Sequence, residues 1–119
     1  MELELNVFPA VDAFKRTVEF RQLAFANFIK TTVDKVNEAI KLDSGLGSTY
    51  TAIQVEYPSL RSLTKSPIDV SPIDVLYELF SGEEYEVDIN IIDRKGVPHL
   101  EIQLDWEYAL SGAQEAYSR

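Results

Sequence analysis

The chain has 119 residues, of which 45% are hydrophobic and 26% charged, with a net charge of −9 and no cysteine. That length and balance fit one folded domain over residues 1–119 rather than two domains or a disordered chain. Disulfides, thiolate metal sites and cysteine nucleophiles are excluded outright. The short apolar runs predict no membrane span, and without a basic-then-apolar leader the expected compartment is the cytoplasm.

The charge is unevenly placed. Residues 1–42 hold six basic and six acidic side chains, whereas residues 43–119 hold five basic against fourteen acidic, so the whole of the −9 lies in the second part. Residues 69–107 alone, with eleven acidic and two basic side chains, account for the −9. Such a chain repels phosphate backbones and anionic lipid, which argues against direct nucleic-acid or membrane binding.

In chain order, Glu2–Phe8 alternates, with Leu3, Leu5 and Val7 on one side and Glu2, Glu4 and Asn6 on the other, and predicts a half-buried strand closed by Pro9. From about Ala10 to Leu42 the period becomes helical. Val11, Phe14, Val18, Phe25, Ile29, Val33, Val36 and Ile40 share one stripe at about 100° per residue. Gly45 and Gly47 end that helix. Such a helix spans about 50 Å, against a diameter of about 35 Å for a compact domain of this size, so it must either break near Thr17–Glu19 or project.

Tyr50–Tyr57 predicts a second strand, closed by Pro58. A tandem duplication follows, Ser66-Pro-Ile-Asp-Val70 and Ser71-Pro-Ile-Asp-Val75, whose second copy starts a short helix: Ser71 is the N-cap, Pro72 the first helical residue, Asp74 in the first turn and Gly82 beyond the end. Tyr85–Asp93 and Val97–Trp106 form a hairpin across Asp93-Arg-Lys-Gly96. Residues 107–119 form either a last short helix or a frayed tail. The assembled expectation is a two-layer α+β domain in the order β-α-β-α-β-β, with the long helix and the short one on one face of a small antiparallel sheet.

Two surfaces emerge as candidates for partner binding. Phe20, Leu23 and Ala24 lie roughly opposite the core stripe of the long helix, as an interface with another protein or with a second copy of the chain. The alternative is that Leu60 and Leu63, or Leu110 and Tyr117, fold over them. Glu86, Asp88, Glu101 and Asp105 fall on the outward face of the hairpin and, joined by Glu2, Glu4 and Glu56 from the first two strands, make about seven carboxylates on an open sheet face. That face is either ordinary solvated sheet or a dock for a basic partner. As a mimic of duplex DNA, seven charges at about 1.7 Å each copy only about 12 Å of axis, so a monomer is a poor imitation.

Catalytic patterns are weak. The single histidine, His99, has no Gly-x-Ser-x-Gly elbow to supply a nucleophile. Ser44-Gly-Leu-Gly-Ser48 follows a helix instead of opening one, the reverse of a phosphate loop. Glu83-Glu84-x-Glu86-x-Asp88 lacks the spacing of a calcium loop, so neither a metal nor a cofactor is expected. Ser66-Pro and Ser71-Pro suit helix starts better than phosphorylation sites. Residues 72–106, with a short helix, a Tyr-x-Val strand, a glycine turn and a strand ending in tryptophan, loosely resemble small phage-encoded accessory proteins, without a specific motif. The expectation is a non-enzymatic interaction module of inhibitor or adaptor type. A structural subunit of a larger assembly and a carboxylate-based or metal-assisted enzyme are the alternatives.

Overall fold

The computed structural model describes residues 3, 5–57, 71–107 and 109. Helix α1 runs unbroken from Ala10 to Gly45, 36 residues, or about 54 Å at 1.5 Å per residue. No proline or glycine interrupts it before Gly45. The Thr17 hydroxyl donates to the Ala13 carbonyl at 2.9 Å, satisfying itself on the preceding turn without opening the backbone. Of the two outcomes expected for so long a helix, projection is the one realised. The radius of gyration is 20.6 Å, against about 13.5 Å for a compact chain of this length.

The C-terminus of α1 closes in a Schellman motif. Ser48 N–H donates to the Asp43 carbonyl at 2.9 Å and Gly47 N–H to the Ser44 carbonyl at 3.1 Å. Gly47, at φ +87°, supplies the left-handed residue that the motif needs and that a Cβ disfavours. The Thr51 hydroxyl donates to Asp43 Oδ2 at 2.5 Å. This bond fastens the end of α1 to strand β1, Tyr50–Glu56, and satisfies a threonine that is almost fully buried.

Helix α2, Pro72–Ser81, starts as its residues dictate, with the Ser71 side chain accepting from Ile73 N–H at 3.2 Å and Pro72 where a missing N–H costs nothing. Strands β2, Glu86–Arg94, and β3, Val97–Asp105, form the hairpin. Arg94 pairs with Val97, leaving Lys95 and Gly96 at positive φ as the two-residue turn that matches strand twist. The three strands are antiparallel in the order β1-β3-β2.

Central strand β3 sends Leu100, Ile102 and Leu104 into the core, where they meet Val55 from β1, Phe28 and Val36 from α1, and Leu76 and Phe80 from α2. Two helices on one face of the sheet make the expected two-layer α+β arrangement. An aromatic row extends the core at one end, with Tyr85 edge-on to both Phe80 and Trp106 at centroid distances of 6.1 and 5.9 Å.

The predicted first strand does not form. Glu2 and Glu4 lie outside the described residues, and 5–9 have no regular structure, with Leu5 and Val7 exposed where a strand would have buried them. The reason is distance. Pro9 leads straight into α1, whose first residue packed against the core is Ala24, so residues 5–8 are carried about 24 Å or more from the nearest core contact and reach neither sheet edge. The first Ser-Pro-Ile-Asp-Val copy and the 107–119 helix fall outside the described residues, apart from turn positions at 107 and 109.

Tyr57, just past β1, is buried against Phe28 at a centroid distance of 5.6 Å. Burial pushes its phenol above the usual range; a hydrogen bond with Ser71 works the other way, and the Asp74 carboxylate adds to the rise. Folding therefore opposes ionisation, and the unfolded chain releases this proton first. The contribution is complete below a pH of about 10 and is lost as pH climbs through the raised folded value. Urea titrations across the alkaline range should show stability falling above that point, with Tyr57→Phe flattening the alkaline limb.

Candidate interaction surfaces

Only the second half of α1 meets the sheet. Phe28, Thr32 and Val36 are buried, and Phe25, Ile29, Val33 and Ile40 pack beside them. The stretch from Ala10 to Leu23, the arm, runs on for about 21 Å. Val11 (61% exposed), Phe14 (58%), Phe20 (65%) and Leu23 (61%) stand open on it. None of the four belongs to the core or to the residues packed against it.

These side chains lie on two faces. At about 100° per residue, Val11, Phe14 and Val18 fall within about 40° of Val36, so they continue the core-facing stripe past the end of the sheet with no change of phase. Phe20 and Leu23 fall about 150° away, on the back. Arg16 is also on the back, its guanidinium 5.8 Å from the centroid of the Phe8 ring, within the range of a cation–π contact. The edges between the two faces carry Asp12, Lys15 and Glu19.

Ala24 does not share the surface expected of it. It is half-buried and packs against the core, because it precedes Phe28 by one turn and so sits on the flank nearest the sheet. With Asn27, Phe28, Thr31 and Glu56 it lines a notch of about 370 Å³ where α1 leaves the body. Leu60, Leu63, Leu110 and Tyr117, the segments expected to cover the back of the helix, lie outside the described residues.

The sheet brings the four predicted hairpin carboxylates onto one open face. Glu86 stands directly opposite Asp105, Asp88 opposite Gln103, and Glu101 between Asn90 and Gln54, while Glu56 opposes His99. Five carboxylates among the described residues thus occupy the face, while Glu2 and Glu4 lie outside those residues. Their hydrogen-bond partners include neutral amides. Gln103 Nε2 donates to Glu101 at 2.8 Å and Asn90 Nδ2 to Asp88 at 3.2 Å. Amides orient carboxylates without cancelling their charge, and the Glu86–Asp105 pair places like charges directly across two strands, an arrangement that costs stability. Arg94 lies at the hairpin end and donates to Gln54 at 2.7 Å.

At the Glu86–Asp105 end of the sheet a depression of about 460 Å³ is bordered by Tyr50, Glu86, Asp88 and Asp105 of the open face and by Tyr77, Tyr85, Val87 and Leu104 of the covered side. Phenol rings beside carboxylates suit the stem and head of a lysine or arginine. His99 lies on the open face with Nδ1 3.0 Å from the Val97 carbonyl oxygen, which favours the proton on that nitrogen. Among the described residues, no three histidine, aspartate or glutamate side chains are grouped so as to hold a metal ion. Nor is any helix there long and apolar enough to cross a membrane.

Exposure was readable for Phe20 and Leu23 from their angle on the helix. The front of the arm was not, because Val11, Phe14 and Val18 match the core stripe in phase and hydrophobicity, and only the length of the sheet distinguishes covered from uncovered turns. Phe14→Ser or Phe20→Ser should therefore change the urea-derived stability of the monomeric chain by less than about 0.5 kcal/mol, whereas Phe28→Ala should cost about 3 to 5 kcal/mol. No family model matches this sequence, and neither curated proteins nor solved structures provide a match.

Proposed function

We propose that this protein is a non-enzymatic interaction module, of inhibitor or adaptor type, that works in the cytoplasm and meets a protein partner through its helical arm. The observation behind this reading is the arm itself, with Val11, Phe14, Phe20 and Leu23 all more than half exposed within four turns of one helix. Burying a side chain of that kind is worth about 1.5 to 3 kcal/mol. Large apolar residues so concentrated outside a core mark contact surfaces more often than accidents of composition.

The open sheet face plays a second part. Glu86, Asp88, Glu101 and Asp105 create a one-signed field beside a tyrosine-lined depression. Such a field speeds encounter with a basic surface and penalises an acidic one, and its influence on rate exceeds its influence on affinity. The same field disfavours nucleic acid and anionic lipid as direct ligands. A second reading, a structural subunit of a larger assembly, is favoured by one feature: the arm has two opposed apolar faces, enough to touch two neighbours at once.

Affinity capture with mass spectrometry in the native host, using the full chain as bait, tests both surfaces. Phe20→Asp with Leu23→Asp should reduce recovery of the specific partner at least tenfold. Charge reversal at Glu86, Asp88 and Glu101 should weaken capture more at low salt than at high salt. A partner retained equally by both variants and indifferent to salt would refute the assignment of these surfaces.

A further inference from the structure

We infer that the front face of the arm is a self-association site, occupied by the arm of a second copy running antiparallel to the first about a two-fold axis near Arg16. This rests on the arm being the contact surface and names the occupant of one of its two faces, leaving Phe20 and Leu23 on the back for another protein.

Three observations select this occupant. The first is length. An axis near Arg16 sets each residue level with the one whose number completes 32, so residues 10–22 of the two arms overlap and the overlap stops at Ala24, where packing against the core begins. Phe14 of each copy then packs on Val18 of the other, and the uncovered continuation of the core stripe closes on itself, as an isologous contact requires. The second is the edge beside the stripe. Lys15 and Glu19 lie one turn apart on it, and reversal brings each Lys15 within about 3 Å, along the axis, of the partner copy's Glu19. The edge is self-complementary in the antiparallel direction.

The third is the position of the charge. Residues 43–119 carry the entire −9, and the described elements among them, β1, α2 and the hairpin, pack around the second half of α1. Antiparallel arms hold the two bodies at opposite ends, with the two Val36 positions about 60 Å apart along the axis, many times the Debye length of about 8 to 10 Å. Parallel arms would press two strongly acidic bodies together. The overlap is short for a specific interface, which calls for about 1,000 Å² or more, so the dimer is a reversible one with a Kd on the order of 10 μM.

Sedimentation equilibrium on the full chain should give a monomer–dimer equilibrium in that range. Phe14→Asp should raise the Kd at least tenfold with helicity unchanged, and Phe20→Asp should leave it alone. Lys15→Glu should weaken the dimer, and adding Glu19→Lys should restore it, which generic stickiness would not do. Because the chain lacks cysteine, Lys41→Cys gives a single labelling position; antiparallel arms separate two such dyes by about 75 Å and allow almost no energy transfer, whereas parallel arms bring them close. A monomer at every concentration, a dimer indifferent to Phe14→Asp, or strong transfer between the dyes would each overturn the inference. Phe20→Asp capture is read separately, so loss of the dimer and loss of the partner surface are distinguishable results.

Discussion

A helix of 36 residues is packed on a sheet whose strands are only seven to nine residues long. Strands of that length reach about 23 to 31 Å, while the helix reaches about 54 Å. Only about half of α1 can be covered from this sheet, and every other feature follows from which half. The Schellman closure and the Thr51–Asp43 bond tie the C-terminal end to β1, so the surplus length leaves from the N-terminal end. The consequence is an arm whose apolar stripe was continuous with the core and has lost its cover.

The electrostatic layout complements this geometry. The body holds the net charge, concentrated on the open sheet face and around α2, whereas residues 10–23 carry three basic and two acidic side chains. Apolar contact and charge are thereby separated along the molecule. A partner engaged at the arm is met in a nearly neutral setting, and one engaged at the sheet in a strongly acidic one. The Glu86–Asp105 pair shows that the acidity of the face is kept at some expense to the sheet, since a neutral or basic residue at either position would relieve it.

Much of the fold was legible in the residues. The helical period from Ala10, the Ser71-Pro72 start of α2 and the alternation on either side of Lys95-Gly96 each reflect local rules that tertiary packing did not override. What was not legible depended on reach. Glu2–Phe8 alternates well enough for a strand, but alternation cannot reveal that α1 carries residues 5–8 away from every sheet edge. Ala24 was misplaced for a related reason: its angle on the helix puts it at the flank, and only the position of Phe28 against Tyr57 shows that this flank is the packed one. Glu86, Asp88, Glu101 and Asp105 were brought together as expected, because hairpin register follows directly from turn length.

The central claim is that α1 is one continuous, projecting helix, and its most direct test is a distance. Cysteines introduced at Lys15 and Lys41 would be the only thiols in the chain, and spin labels on them, diluted with unlabelled protein to suppress contacts between copies, can be measured by pulsed dipolar spectroscopy. An unbroken α1 places the two positions about 39 Å apart with a narrow distribution. A broad distribution, or a distance below about 25 Å, would mean that the helix breaks and the arm folds back on the body, contradicting the account.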